Sequence, residues 1–176
     1  YSGDAEREFT GMQPGATYTI YSYGIEFSGN SYTMTTPLHT SIVDIPMPTM
    51  YDIDFAVNVA YANNLATISV EPDNWSGYYV VKIAPEDNLL YIPPSEKINE
   101  YVIKSVATNF YTEARNFMKN GYSAEQYLNA KCYSGSKTIS MQLSSDKKYM
   151  VIVFAVESKD GEVPVMRSMP VIAYLE

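Results

Sequence analysis

The sequence contains few of the residues that build most known active sites. Its 176 residues include one cysteine, one histidine and one tryptophan. A single cysteine cannot form a disulfide within the chain, so cysteine usage does not identify the redox compartment. There is no Gly-x-Ser-x-Gly, no His-Glu-x-x-His and no phosphate-binding glycine loop. The sequence therefore lacks the common signatures of hydrolases, metalloproteases and nucleotide-binding proteins, and we expect no cofactor.

Positive charge and long apolar runs are also scarce. There are 12 Lys and Arg against 20 Asp and Glu, which gives a net charge of -8. Affinity for nucleic acid depends largely on Lys and Arg that neutralise phosphates, so nucleic acid is not an expected partner. No apolar run reaches the roughly 20 residues that a membrane-spanning helix needs. We expect a chain that does not span the membrane.

Tyrosine is abundant, and apolar residues are sufficient for a packed core. The chain has 17 Tyr against 6 Phe, and 46% of its residues are apolar. Tyrosine is enriched in strands that have one face partly exposed to solvent. This composition favours a β-rich globular fold over disorder.

One segment of the sequence occurs twice. Residues 133–157 repeat the pattern of residues 1–26, and both copies begin with Tyr-Ser-Gly. Each copy has an apolar residue, a turn, a tyrosine six positions after the apolar residue, and then an alternating strand-like run. A repeat of this kind indicates tandem modules. Since residue 1 already lies inside a repeat, we expect the chain to be part of a longer protein.

The turn and tyrosine in each copy resemble a known motif. The first copy has Met12, Pro14, Gly15 and Tyr18, and the second copy keeps Leu143 and Tyr149. These residues resemble the tyrosine corner of fibronectin type III and related immunoglobulin-like sandwiches, in which Leu-x-Pro-Gly-x-x-Tyr precedes strand F. The resemblance implies a β-sandwich and a buried tyrosine ring whose hydroxyl is hydrogen-bonded to the backbone upstream.

In this interpretation residues 1–44 are the C-terminal strands E, F and G of a first module. The strands are predicted near 6–10, at 16–27 and at 31–43, with a hairpin turn at 28–30. Strands A to D should lie upstream. We expect these three strands to pack on the second module, on a symmetry mate or on a cleaved fragment; the alternative is a small sheet without a missing partner.

Residues 45–50 form a proline-rich linker, and residues 51–176 form the second module. Its strands are predicted at 51–59, 65–71, 78–84, 149–157 and 163–175, with strand E beginning near Thr138. The last strand is broken by Pro164 and Pro170, which suit an edge strand. Type III modules carry a Trp in strand B where this chain has Val70, which is a departure from the family pattern.

A helical insert is predicted at about 94–132, between strands C and E. Apolar residues recur at a 3.6-residue period from an N-cap at Ser95 to a stop at Asn120-Gly121. A second helix begins at the Ser-Ala-Glu-Gln capping box at Ser123. The apolar stripe of the first helix either packs on the sandwich or, if left open, binds a partner.

The sequence therefore predicts a mainly β fold. It is a fibronectin type III-like β-sandwich with an inserted helical pair, preceded by the C-terminal strands of a like module. This combination is similar to uncharacterised surface lipoproteins of gut Bacteroidetes. The resemblance implies a location at the cell surface or in the periplasm, where a segment upstream of residue 1 could carry a lipid anchor.

The loop of Asp73, Asn74 and Trp75 is the most suggestive candidate for a ligand site. An exposed tryptophan beside amide and carboxylate groups is the arrangement needed for stacking on a sugar ring, and loops on a rigid scaffold often carry function. The alternative is that Trp75 folds back over the core or against the helical insert.

Other chemistry-bearing residues are isolated. Asp44, Asp52 and Asp54 could hold a calcium ion between modules, although an exposed polar strand face is the better interpretation. His39 lies among alternating strand residues and is expected to be solvated or satisfied there. Cys132 is expected to be a buried small residue and not a nucleophile.

We therefore expect a non-enzymatic module for adhesion, scaffolding or glycan capture, with an unknown protein or glycan as its partner. One alternative is an accessory domain of an enzyme, or a hydrolase that uses acidic residues at the sandwich end. Another alternative is protein–protein recognition through the helical insert.

Overall fold

The computed structural model describes residues 9, 12, 14–91, 102–144 and 146–175. The fold is mainly β, with several antiparallel sheets and two α-helices. The chain divides into two compact units, Tyr1–Met47 and Pro48–Glu176, which we call unit 1 and unit 2. The division lies within the proline-rich stretch 45–50.

Unit 1 is built from paired strands. They are β1 (Thr17–Ser22), β2 (Ile25–Ser28), β3 (Ser31–Met34) and β4 (His39–Asp44). β1 pairs antiparallel with β4, so that Tyr18 lies opposite Val43. β2 pairs antiparallel with β3 across a turn at Gly29, whose φ of +61° suits glycine. The turn predicted at 28–30 is therefore confirmed.

The prediction of single strands at 16–27 and 31–43 is wrong, because each strand is interrupted near its middle. The N–H of Gly24 donates to Thr36 Oγ1 over 2.6 Å, and the N–H of Thr35 donates to the Gly24 carbonyl over 2.9 Å. These bonds replace the regular ladder, and Pro37 has no N–H with which to restore it. The strand predicted near 6–10 lies outside the described residues, apart from Phe9.

Unit 2 contains eight strands among its described residues. They are β5 (Phe55–Ala62), β6 (Leu65–Pro72), β7 (Tyr78–Pro85), β8 (Tyr133–Ser134), β9 (Lys137–Gln142), β10 (Tyr149–Glu157), β11 (Val165–Met166) and β12 (Val171–Leu175). One sheet has the order β5-β6-β9. In the other sheet β10 pairs with β7 on one side and with β11 and β12 on the other, and β7 also pairs with β8.

Turn chemistry explains where these strands end. Asn63 and Asn64 have φ values of 53° and 64°, which the two-residue hairpin between β5 and β6 requires. The prolines at 164 and 170 each precede a short strand, so the last strand is broken as predicted. The first strand begins at Phe55 and not at Tyr51, since the Tyr51 N–H donates to the Arg167 carbonyl and the Asp54 carbonyl accepts from Asp73.

β10 is buried on both faces. Its residues Tyr149 to Val156 are all buried, and they alternate between two apolar clusters. One cluster fills the space between the two sheets and includes Ile68 and Val151. The other lies between β10, β7 and the helices and includes Phe110 and Phe154, whose rings meet edge to face at 6.0 Å. β10 is therefore the centre of unit 2.

Two of the three predicted helix caps lie within the described residues. A 3₁₀-helical segment, Glu86–Tyr91, follows β7; after the undescribed residues, a π-helical segment, Val102–Ala107, leads into α1 (Thr108–Lys119) and then α2 (Ala124–Lys131). Gly121, with φ +93°, follows the C-cap of α1. The Ser123–Gln126 capping box at the start of α2 is confirmed by both of its hydrogen bonds. The predicted N-cap at Ser95 lies outside the described residues.

Candidate functional site

Trp75 lies in the loop between β6 and β7, with its ring packed against the apolar cluster between the two sheets. The ring is partly buried there. Its Nε1–H donates to the Tyr78 carbonyl over 2.9 Å. Gly77 leaves room for it, because a Cβ at Gly77 would lie 2.5 Å from the indole. Of the two positions that the sequence allowed, Trp75 takes the one against the core, and its N–H is already bonded within the protein.

The two residues before Trp75 are tied to the segment that precedes β5. The Asn74 Nδ2 donates to the Asp52 carbonyl, and the Asp73 N–H donates to the Asp54 carbonyl, both over 3.0 Å. Asp73 and Asn74 remain exposed, as do Asp52 and Asp54. The loop is thus held in place by backbone groups, while its carboxylates face solvent.

The sequence analysis missed three linked residues, of which Tyr51 contacts Trp75. The Tyr51 ring lies 6.0 Å from the Trp75 ring, centroid to centroid. The Arg167 guanidinium lies 5.6 Å above the Tyr51 ring, in a cation–π arrangement. Arg167 Nε also lies 3.0 Å from Glu157 Oε2, as an ion pair without a well-aligned hydrogen bond. We call Tyr51, Trp75, Glu157 and Arg167 the Tyr51 cluster.

The Tyr51 cluster combines an accessible ring with fixed polar groups. Tyr51 is 41% exposed, and its hydroxyl lies 3.3 Å from Glu157 Oε2. The Arg167 side chain is only 11% exposed, and it also donates to the Thr49 carbonyl over 3.3 Å. Such an arrangement can stack on a flat ligand and accept hydrogen bonds from hydroxyl groups. The sequence offers one hint of this cluster: Arg167 lies in the largely apolar segment Val-Met-Arg-Ser-Met.

The acidic residues considered for calcium are placed differently from the prediction. Asp52 and Asp54 precede β5 and do not belong to it, and they flank the buried Ile53. Asp44 is in unit 1, where its Oδ1 accepts a 2.6 Å hydrogen bond from Thr17 Oγ1. Within the described ranges, no group of three or more His, Cys, Asp or Glu side chains could hold a metal ion.

The tyrosines of the two predicted corners lie at the start of strands: Tyr149 is the first residue of β10, and Tyr18 is the second residue of β1. In unit 2 the Tyr149 ring is buried, and its hydroxyl accepts a 3.2 Å hydrogen bond from the Ser144 N–H. Leu143 packs against the cluster between the sheets. In unit 1 Tyr18 is half-buried in β1, and Gly15 takes a φ of +74° with its N–H donating to the Ile45 carbonyl.

The two residues considered for nucleophilic or base chemistry lie in different units. His39 is exposed in β4, opposite Ser22. Cys132 follows α2, where burial and then the nearby Glu113 carboxylate raise the pKa of its thiol to about 12. A thiol with this pKa stays protonated at neutral pH and is a poor nucleophile.

The apolar stripe of the helical insert is used inside unit 2. Val106, Phe110 and Ala114 are buried against β7 and β10, and Phe117 stacks between Tyr122 and Tyr127. A cleft of about 230 Å³ remains beside Phe110 and Lys82. The described part of the stripe therefore packs against the sheet that contains β7 and β10, and of the two alternatives the structure shows internal packing.

Unit 1 exposes its large apolar side chains. Of the 17 large apolar side chains that are exposed in the described part of the chain, 11 belong to unit 1, and none of the described unit 1 residues is buried. They are Phe9, Tyr21, Tyr23, Ile25, Phe27, Tyr32, Met34, Leu38, Ile42, Val43 and Met47. We call this set the unit 1 apolar surface. A groove of about 360 Å³ beside β1 is lined by Phe9, Met12, Ile20 and their neighbours.

Comparison of the chain with protein families, curated proteins and solved structures finds no match. Neither α1 nor α2, nor any other helix in the described residues, has the length and apolar character needed to cross a bilayer.

Proposed function

We propose that this chain is a non-enzymatic interaction module that works in adhesion or scaffolding at a cell surface. The observation that carries the proposal is the unit 1 apolar surface. Soluble proteins seldom expose large apolar side chains in such density unless another molecule covers them. Phe27 and Ile42 are 69% and 71% exposed, which is unusual for side chains of their size in strands.

We also propose that unit 2 is a fibronectin type III-like sandwich. Its strand order supports this: β5, β6 and β9 match strands A, B and E, while β7, β10 and the β11–β12 pair match C, F and G. The helices fall between the strands that match C and E. The hydrogen bond from the Ser144 N–H to the Tyr149 hydroxyl is of the kind that a tyrosine corner makes. Modules of this class commonly serve as scaffolds for binding surfaces.

A pull-down with two matched triple variants tests the interaction module. Tyr21→Ser/Phe27→Ser/Ile42→Ser removes exposed apolar side chains from unit 1, and Leu65→Ser/Tyr122→Ser/Tyr174→Ser removes them from unit 2. Each chain is immobilised and exposed to the envelope fraction of the source organism, and bound proteins are identified by mass spectrometry. We expect the wild type and the unit 2 variant to retain the same proteins, and the unit 1 variant to lose them. If the unit 1 variant binds the same proteins equally well, the proposal is wrong.

Glycan capture at the Tyr51 cluster is a second candidate function. The observation that favours it is the exposed Tyr51 ring, which contacts Trp75 in the loop that also carries the exposed Asp73. Trp75 is the single tryptophan and lies next to Tyr51, so its fluorescence reports on ligands there. We expect a saturable change on titration with a panel of soluble polysaccharides, lost in Tyr51→Ala and kept in Tyr122→Ala. A flat response across the panel would rule this function out.

A further inference from the structure

The cleft beside Phe110 and Lys82 lies between β7 and the two helices of unit 2. Its volume is about 230 Å³, and the residues that line it all belong to the described part of the chain. A cavity of about 150 Å³ is large enough to hold a benzene ring. The cleft therefore has room for a ring or a branched chain that carries a short polar group.

The floor of the cleft is apolar. It is lined by Val80, Val106 and Phe110, which are all buried. Val80 belongs to β7 and Phe110 to α1, so the floor joins the sheet to the helical insert. Apolar side chains of this kind cover the hydrocarbon part of a ligand, while a few polar groups fix its orientation.

Tyr127 brings a hydroxyl group to the same cleft. Tyr127 is 1% exposed, and its ring lies 5.6 Å from the Phe110 ring and 5.4 Å from the Phe117 ring, centroid to centroid. Its hydroxyl has no hydrogen-bond partner among the described residues. Burial, and then the nearby Glu113 and Cys132, raise the pKa of this hydroxyl, so it stays protonated and can donate at neutral pH. A buried donor of this kind is stabilised by a ligand that offers an acceptor.

Two lysines, Lys82 and Lys131, and one carboxylate, Glu113, also line the cleft. Lys131 and Glu113 lie 3.8 Å apart as an ion pair, and both side chains are half-exposed. Lys82 lies between Val80 and Ala84 in β7, on the side of the sheet that faces the helices. It forms no ion pair with the described residues. The Lys82 ammonium is therefore the charge left for a ligand, and it favours an anion.

We propose that this cleft binds a small organic acid, with its apolar part against Phe110 and its carboxylate at Lys82 and the Tyr127 hydroxyl. A carboxylate accepts hydrogen bonds from an ammonium and from a hydroxyl, and bonds to charged groups are the stronger ones. The volume suits a ligand of about ten non-hydrogen atoms. The proposal goes beyond the interaction module and does not depend on it, since the cleft shares no residue with the unit 1 apolar surface.

Titration of the isotope-labelled full chain, followed by NMR, tests the proposal. The probes are phenylacetate, which carries a ring, and isocaproate, which carries a branched chain. We expect saturable shifts at residues 80–82, 106–113 and 127–131, with a Kd on the order of 1 mM or below. Phenethyl alcohol has the ring without the charge and should bind at least about threefold more weakly than phenylacetate. Phenethylamine, which has the opposite charge, should not bind.

Matched variants locate the carboxylate of the ligand. Lys82→Gln should weaken phenylacetate at least about threefold and leave phenethyl alcohol unchanged, because only the acid uses the ammonium. Tyr127→Phe keeps the buried ring and should weaken phenylacetate by about the same factor. Lys119→Gln, at an exposed position of α1 that does not line the cleft, is the control and should leave the affinity unchanged.

Three results would overturn the proposal. One is the absence of saturable shifts with both acids. The second is binding of phenethylamine as tight as that of phenylacetate, since Glu113 would then provide the charge that the ligand meets. The third is an unchanged affinity for phenylacetate in Lys82→Gln or in Tyr127→Phe. None of these results bears on the pull-down, which depends on unit 1.

Discussion

The hairpin formed by β1 and β4 and the hairpin formed by β10 and β12 share a design and differ in what covers them. Positions that face the helices in β10, Met150, Ile152 and Phe154, correspond to Thr19, Tyr21 and Tyr23 in the repeat. The first three are fully buried, whereas the second three are exposed. The shared repeat pattern therefore accounts for the hairpin in both units. Whether the hairpin is buried or exposed depends on the side chains at alternate positions, which are apolar in β10 and include Thr19 and Tyr21 in β1.

The largest expected difference between the hairpins is at the matched pair Phe154 and Tyr23. Phe154→Ala removes a fully buried ring, and we expect it to lower the free energy of unfolding of unit 2 by about 3–5 kcal/mol. Tyr23→Ala changes a side chain that is 50% exposed, and its effect should stay within about 0.5 kcal/mol. Denaturant unfolding followed by Trp75 fluorescence measures the first, and far-UV circular dichroism measures both. Similar losses of unfolding free energy in the two variants would contradict the difference in burial between the two hairpins.

Alkaline pH should weaken unit 2. Burial raises the pKa of Cys132 from 9.0 to about 12, and it also raises the pKa values of Tyr127 and Tyr79. Because the folded state holds these protons more tightly than the unfolded chain, the stability is complete below about pH 9 and is lost as the pH rises towards 12. We expect each group to contribute a slope of at most about 1.4 kcal/mol per pH unit.

Cys132→Ala gives the control for this pH dependence. Above pH 9 the stability of the variant should fall less steeply with pH than that of the wild type, because the contribution of the Cys132 thiol is gone. The contribution of Tyr127 and Tyr79 should remain. Denaturant midpoints measured every half unit from pH 7 to 10.5 provide the test. If the wild type shows no slope, the thiol and phenols are not held in the buried state described here.

Removing the Tyr149 hydroxyl tests the corner that starts β10. Tyr149→Phe keeps the ring and leaves the partly buried Ser144 N–H without its 3.2 Å partner. We expect a loss of about 1–2 kcal/mol in the stability of unit 2. Tyr174→Phe, at an exposed position in β12, is the matched control and should have almost no effect. Equal effects would mean that the hydrogen bond does not stabilise the corner.

The smallest expected effect is at the cap of α2, the helix that returns the chain to β8. Ser123→Ala removes the side chain that accepts from the Gln126 N–H over 3.1 Å. We expect unit 2 to lose about 1 kcal/mol. Ser31→Ala, at an exposed strand position in unit 1, provides a serine-to-alanine control. A loss no greater than that of the control would show that the capping box contributes nothing to unit 2.

Local signals in the sequence predicted most of the strands, turns and caps. The hairpin turn at 28–30, the break at Pro164 and Pro170 and the Ser123 capping box are each set by residues close together in the chain, and the structure confirms them. The interruption at Gly24 was missed, because it depends on a bond to Thr36, which lies 12 positions away between β3 and β4. Pro37, inside a predicted strand, was the available signal.

The packing of the helices on the second face of β10 was harder to predict. The run from Met150 to Val156 is apolar at every position, which is typical of a strand buried on both faces. We predicted an alternating strand in both copies of the repeat, and this was wrong for β10. The position of the apolar stripe of α1 was left open, since periodicity shows that a stripe exists and does not show what covers it.

The candidate site was only partly predictable. The sequence pointed to Asp73, Asn74 and Trp75 as a group, but whether the indole faced outward depended on Gly77 and on the Tyr78 carbonyl. Tyr51 and Arg167 join the site from distant parts of the chain, as their spacing in sequence could not show. Contacts between residues more than 100 positions apart need the fold before they can be found.

The most direct test of the account is the hydrogen exchange of β1 and β10 in the same dilute sample without any partner. Amides of a core strand exchange only through large-scale unfolding, whereas amides at an open edge exchange locally. We predict that residues 17–22 exchange at least about 100-fold faster than residues 149–157. Equal protection of the two strands would contradict the claim that β10 lies in a core while the described side chains of β1 lie mostly at the surface.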